Sequence, residues 1–198
     1  MRREREQQEA ERRRRRNGYI VAAALVAATI GVLAFVLLSN GNDKPTAGQL
    51  RTLTRAAKAA GCTVRTFPSE GRTHTTGAVT YSTNPPTSGP HYPVPALDGE
   101  YANGGPPKER VVHTLEHGRI ELQYRPGAAP AARAALRAVF HEDTDRMLLF
   151  QNGTGMPYEV AATAWAHLLG CPRYDARVPS ALRAFRDAYR GKAPEKVP

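Results

Sequence analysis

Residues 111–124 read VVHTLEHGRIELQY, and this stretch indicates both the local fold and the candidate chemistry. Its last six residues alternate polar and apolar side chains, with Ile120, Leu122 and Tyr124 on one face. An alternation with a period of two is typical of a β-strand that packs one face on a core. Because Gly118 and this strand follow the HTLEH segment at once, we expect HTLEH to form a short element of about one turn.

Outward from this stretch, the pattern predicts a mixture of helices and strands. We predict helices over residues 46–60, 130–141 and 179–189, and strands over residues 78–82, 119–124, 147–150 and 158–169. The last of these strands has a pattern that a helix would also satisfy. Residues 84–107 hold seven prolines and four glycines, which excludes a long helix or a central strand there. Loosely alternating elements predict the α+β class, with a single compact mixed αβ domain.

The N-terminal part predicts a membrane anchor. Residues 19–38 contain no charge and no proline, and at about 1.5 Å per residue a helix of this length spans about 30 Å, the thickness of a bilayer. The arginine cluster that ends at Arg16 favours a cytoplasmic N-terminus. A cleaved signal peptide and a buried core helix are the alternatives. We therefore predict a single-pass protein of the cell membrane with the bilayer as partner: a cytoplasmic Arg-rich tail (1–18), a transmembrane helix (19–38), a linker (39–45), an extracytoplasmic αβ domain (46–190) and a flexible tail (191–198).

The charge does not indicate a nucleic-acid partner. The formal net charge is +10, but residues 2–16 alone hold eight arginines and four glutamates. From Gly41 onward the chain has 20 basic and 14 acidic residues, and it lacks the interleaved basic and aromatic residues of a nucleic-acid platform. We expect no nucleic acid among the partners, and the sequence names no protein partner.

The two cysteines, Cys62 and Cys171, both lie outside the membrane in this topology. In an oxidising compartment such a pair usually bonds, so we predict a disulfide across a loop of 108 residues. Two buried thiols that never meet and metal ligation are the alternatives. The chain has no C-x-x-C motif, so a thioredoxin-type redox role has no support.

The segment from His113 to His117 matches the pattern H-x-x-E-H, which on a helix binds zinc with the glutamate as general base. That site needs a long helix and a third ligand on a later element. The expected short element argues against the first, and the acids that follow lack a matching motif for the second: Glu142, Asp143, Asp145, Glu159 and Asp187. A metal-dependent hydrolase that uses HTLEH is therefore an alternative hypothesis.

A looser metal site is the leading hypothesis. Neutral imidazoles are good ligands for copper or zinc. We predict that His113 and His117 converge with His91 from the proline-rich loop, that His74 is a fourth ligand, and that Glu116 orients one of the histidines. The alternative is that each histidine only hydrogen-bonds to loop backbone. Four further residues are expected to have ordinary structural roles, although the two methionines could be soft ligands: His141, Met147, Met156 and His167.

The combination of YSTNPPTSGPH, GEY, VHTLEHGRIELQY and AATAWAHLLGC resembles the bacterial family catalogued as domain of unknown function 3105. The resemblance covers about residues 61–189. It implies a membrane-anchored extracytoplasmic domain with no established reaction, and it assigns no role to any residue. Its motif maps onto Tyr81, Pro85, Pro86, Ser88, Gly89, His91, Tyr101, His113, Glu116, His117 and Gly118.

Together these features predict a membrane-anchored extracytoplasmic protein that binds a transition metal, copper or zinc, through a histidine cluster. A non-catalytic interaction module of the cell envelope is the second hypothesis, with the motif loops serving only the fold. The metal-dependent hydrolase is the third, so the sequence does not decide whether the protein is an enzyme.

Overall fold

One mixed sheet organises residues 44–195 and 197, the part of the chain that this computed structural model describes. Its strands are β1 (Thr63–Thr66), β2 (Gly99–Tyr101), β3 (Ile120–Tyr124), β4 (Met147–Gln151), β5 (Val160–Ala164) and β6 (His167–Cys171). They lie in the order β1-β6-β5-β3-β4-β2, with β4 parallel to β3 and to β2 and the other pairs antiparallel. The helices in this range are α1 (Ala47–Ala59), α2 (Lys108–Glu116), α3 (Pro130–Glu142) and α4 (Val178–Tyr189). The expected α+β domain is confirmed.

The predicted transmembrane helix over residues 19–38 lies outside the described residues, as do the tail over 1–18 and most of the linker. Within the described range, no helix combines the length and the apolar character that crossing a bilayer requires. The anchor and its orientation therefore stay predictions.

The first face of the sheet forms the main hydrophobic core. The cluster on this face joins β3 to α1, α3 and α4, and it contains Leu53, Ile120, Leu122, Leu136 and Phe185. Full burial of a side chain of this size contributes about 1.5–3 kcal/mol before the cost of ordering the chain. The alternation predicted for β3 is confirmed, because its apolar residues share this face.

The second face of the sheet is polar but also buried. Glu121, Gln123 and Thr163 lie on it, each no more than 1% exposed. Helix α2 covers this face, where Val111 joins a cluster with side chains of β4. Thr114 of the same helix places its Oγ1 2.8 Å from Glu121 Oε1. A polar contact therefore fixes α2 on the sheet in addition to the apolar ones.

The surroundings of Glu121 favour a protonated carboxyl. Thr114 Oγ1 lies 2.6 Å from the carbonyl oxygen of Val111, which can only accept. The hydroxyl has one proton for these two contacts, so it fully satisfies both only when the Glu121 carboxyl is protonated and donates to Oγ1. Burial raises the pKa of Glu121 to about 8, which agrees with a neutral acid at pH 7. Its other oxygen accepts from the Thr163 hydroxyl at 2.6 Å and the Gln123 amide at 3.1 Å.

Cys62 and Cys171 form the predicted disulfide, so free thiols and metal ligation are excluded for this pair. The bond joins the residue before β1 to the last residue of β6. Since β1 pairs with β6, with Thr63 opposite Gly170, the crosslink continues this edge pair covalently. It ties the start of the domain to the sheet.

The strand predicted over residues 78–82 is wrong, because this segment is irregular. The Val79 amide donates to Glu109 Oε1 and the Ser82 amide donates to Glu70 Oε2, both at 3.1 Å. Since carboxylates satisfy these backbone groups, the segment needs no neighbouring strand.

Two other predictions are right in type and wrong in extent. Residues 158–169 form strands and not a helix, but they divide into β5 and β6 around a turn in which Ala166 has φ 63°. The HTLEH segment lies in α2, a helix of nine residues that is longer than one turn, with His117 at its C-cap. Strands β1 and β2 were not predicted, since runs of four and three residues carry too little periodicity to detect.

Replacing both cysteines, as Cys62→Ala with Cys171→Ala, is expected to lower the free energy of unfolding by about 4 kcal/mol. The crosslinked residues are 109 positions apart, so the bond restricts a long loop of the unfolded chain. Urea unfolding of the full chain measures this. A reducing agent should destabilise the wild type and leave the double variant unchanged; the same unfolding midpoint for both proteins would contradict the prediction.

Glu121→Gln should remove a pH dependence of stability. The pKa of Glu121 rises from 4.5 to about 8 on folding, so the stabilising effect of its proton is complete below pH 4.5. That contribution falls by roughly 1.4 kcal/mol per pH unit as the pH approaches 8. Glutamine keeps a donor and an acceptor and cannot ionise. The unfolding free energy of the variant, relative to wild type, should therefore increase steadily over this range, and a constant difference would contradict a protonated Glu121.

Candidate metal centre

Three histidines and one glutamate converge at the end of α2. Each residue offers one ligand atom, and these atoms all lie within 4.8 Å of one another. Three of the residues are buried, and one is exposed. The group consists of His74, His91, His113 and Glu116.

The proline-rich loop places His91 in this group through backbone contacts. Thr75 N donates to the His91 carbonyl at 2.8 Å, and His91 N donates to the Thr73 carbonyl at 3.0 Å. This short ladder holds the segment with His74 beside His91. Gly89, two residues earlier, has φ 125°, and a Cβ there would approach the Tyr81 ring to 3.1 Å. Glycine at this position therefore allows the bend that aims His91 inward.

His91 directs its Nε2 into the group. Its Nδ1 lies 2.8 Å from the Gly89 carbonyl oxygen, which can only accept, so Nδ1 carries the proton. Its Nε2 is buried and has no hydrogen-bond partner among the described residues. Glu116 Oε2 is only 3.0 Å away, but the contact lacks hydrogen-bond geometry. This separation is close to the edge of about 3.3 Å between two ligands of a tetrahedral ion with bonds near 2.0 Å.

His113 is held in a similar way at Nδ1, although its Nε2 also contacts His117 Nε2 at 3.0 Å. Its Nδ1 lies 2.6 Å from the Tyr92 carbonyl oxygen, so Nδ1 donates and Nε2 keeps its lone pair. Burial lowers the pKa of His113, and its backbone hydrogen bond opposes this only in part. A neutral imidazole with its other nitrogen bonded to a carbonyl is the common state of a metal-binding histidine.

His117 contacts this group but is not one of its four members. Its Nε2 lies 3.0 Å from His113 Nε2 and 3.8 Å from Glu195 Oε2. Burial lowers the pKa of His117 as well. Glu195 reaches this position because its amide donates to the Glu116 carbonyl at 3.2 Å. The described part of the predicted flexible tail thus contacts the end of α2.

Glu116 and Arg72, which lies close to it in space, contribute the negative and positive charges of this region. The Glu116 carboxylate is 3% exposed and lies among the ligand atoms, whereas the sequence predicted that it only orients a histidine. Arg72 Nη1 is 3.5 Å from Glu116 Oε1, and its side chain is 53% exposed. Sequence reasoning missed Arg72, since a single arginine in an irregular segment carries no signal.

The sulfur atoms of the described residues lie away from this group. Met147 belongs to the core on the first face, and Met156 packs with Ala161 and Leu168. Both cysteines are in the disulfide. The donors at the end of α2 are therefore nitrogen and oxygen.

The sequence of this region matches a known protein family. Residues 72–198 match the family described as "Protein of unknown function (DUF3105)". No match is found among curated proteins or among solved structures. The matched region contains all four residues of the candidate group, while Cys62, α1 and β1 precede it. Since the match spans more than half of the chain, the protein belongs to the DUF3105 family.

Proposed function

We propose that the domain binds one transition-metal ion, zinc or copper(II), through His74, His91, His113 and Glu116. The buried Nε2 of His91 carries this proposal, because it faces a carboxylate oxygen without a hydrogen bond. Leaving a buried acceptor unsatisfied costs about 1–3 kcal/mol. An ion between His91 and Glu116 would turn two opposed lone pairs into two ligands.

The donor set supports divalent zinc or copper over copper(I). Imidazole and carboxylate suit zinc and copper(II), whereas copper(I) prefers thiolate and thioether sulfur. Backbone carbonyl oxygens bind Nδ1 of His91 and of His113. The Nε2 atoms of these two residues are therefore oriented before an ion binds.

The same proposal places the domain outside the membrane, held by the segment 19–38 with the bilayer as its partner. The disulfide supports this placement, because such bonds persist in oxidising compartments. The uncharged segment after an arginine cluster supports the anchor.

The proposal is tested on the full chain, produced by an exported route, with bound metals measured by mass spectrometry and affinities by competition. We expect one zinc or copper ion per chain in the wild type. His91→Ala and His113→Ala should weaken binding by roughly a hundredfold or more, because each removes a buried ligand. Saturation at a hundred times Kd should stabilise the wild type by about 2.7 kcal/mol.

His141→Ala is the matched control, since the His141 side chain is 61% exposed and pairs with Glu100 away from the group. It should bind metal as the wild type does. A folded wild type that binds neither metal would contradict the proposal, and unfolding of both alanine variants without any metal would favour the scaffold module. Turnover that needs Glu116 while the ion stays bound would instead identify a hydrolase.

A further inference from the structure

The four proposed ligands differ sharply in access to solvent. His91, His113 and Glu116 are 0%, 4% and 3% exposed. His74 is exposed, and its ring makes no hydrogen bond to a described residue. It is held by stacking on His113, with ring centroids 5.1 Å apart, and by the backbone bridge to His91. The ion would therefore meet solvent on the side of His74.

Arg72 lies on the same open side. It precedes His74 by two residues, and alternate residues of an extended segment share a side. Its 3.5 Å approach to Glu116 is an ion pair without a hydrogen bond, and its side chain is half exposed. No described residue accepts a hydrogen bond from this guanidinium, so its donors are available to a ligand from solvent. Guanidinium groups bind carboxylate and phosphate oxygens with two parallel hydrogen bonds.

The charge on this side attracts an anion. A divalent ion with Glu116 leaves one positive charge, and Arg72 adds a second. Two other acids lie in this region. The Glu70 carboxylate accepts from the Ser82 amide and hydroxyl, and Glu195, which is half exposed, lies 3.8 Å from His117. Neither pairs with Arg72, whose acidic contact among the described residues is Glu116.

We propose that this open side is a binding site for a small oxyanion, held jointly by the metal ion and the Arg72 guanidinium, with His74 as the exchangeable ligand. The inference rests on the proposed metal binding and names what the bound ion would recognise. Carboxylate and phosphate share the required chemistry. The oxyanion would approach the ion from the exposed side of His74 and replace the His74 imidazole.

Cobalt(II) absorption of the full chain tests this, because its visible bands report changes in coordination. The cobalt-loaded protein is titrated with acetate in one arm and inorganic phosphate in the other. We expect a saturable spectral change in at least one arm. Arg72→Gln should weaken that oxyanion about tenfold with unchanged cobalt stoichiometry, whereas Arg133→Gln, an exposed arginine on α3, should behave as wild type.

His74→Ala provides a second readout that does not depend on Arg72. It should bind cobalt more weakly than the wild type, and added imidazole should restore both the affinity and the wild-type spectrum, because the vacated position is open to solvent. His91→Ala should not be restored, since its position is fully buried. A wild type that binds no cobalt would overturn the metal proposal itself. Cobalt binding without a response to either anion, or with the same response in Arg72→Gln, would overturn only the oxyanion site.

Discussion

The contact between Thr114 and Glu121 fixes the helix on which the candidate site depends. Apolar contacts are non-directional, whereas the buried contact between the Thr114 hydroxyl and the Glu121 carboxyl restricts the position of α2 on the sheet. His113 and Glu116 lie on the same helix as Thr114. The contact that fixes Thr114 therefore also fixes the positions of these two side chains. Burial penalises the charged form of this carboxyl and raises its pKa, so the neutral form is favoured in the folded state.

Main-chain carbonyl oxygens determine which ring nitrogen of His91 and His113 carries a proton. Gly89 and Tyr92 are neighbours of His91 in the chain, and their carbonyl oxygens take the Nδ1 protons of His91 and His113. The bend at Gly89 therefore does two things at once. It aims the His91 ring inward, and it decides which nitrogen of that ring offers a lone pair.

Local patterns allowed part of this structure to be predicted. The alternation in β3, the cysteine pair and the spacing of HTLEH are all visible in short stretches or in residue counts. The irregular 78–82 segment could not be predicted, because Glu70 and Glu109 satisfy its amides from elsewhere in the chain. The position of Arg72 and the place of Glu116 within the histidine group could not be predicted either, since both depend on how separate segments meet in space.

The two faces of the sheet indicate why the histidine group is unlike the rest of the interior. On the first face, apolar burial stabilises the fold directly. On the second, the Glu121 oxygens and the Gln123 and Thr163 side chains find hydrogen-bond partners, so that polar layer is satisfied without a ligand. Two buried side-chain nitrogens of the described residues lack a hydrogen-bond partner. Arg186 Nη1 lies 3.6 Å from Glu142 in an ion pair near the surface, whereas His91 Nε2 belongs to a fully buried side chain. A protein that satisfies the polar layer next to it and leaves this nitrogen facing a carboxylate has the arrangement expected where a cation completes the site.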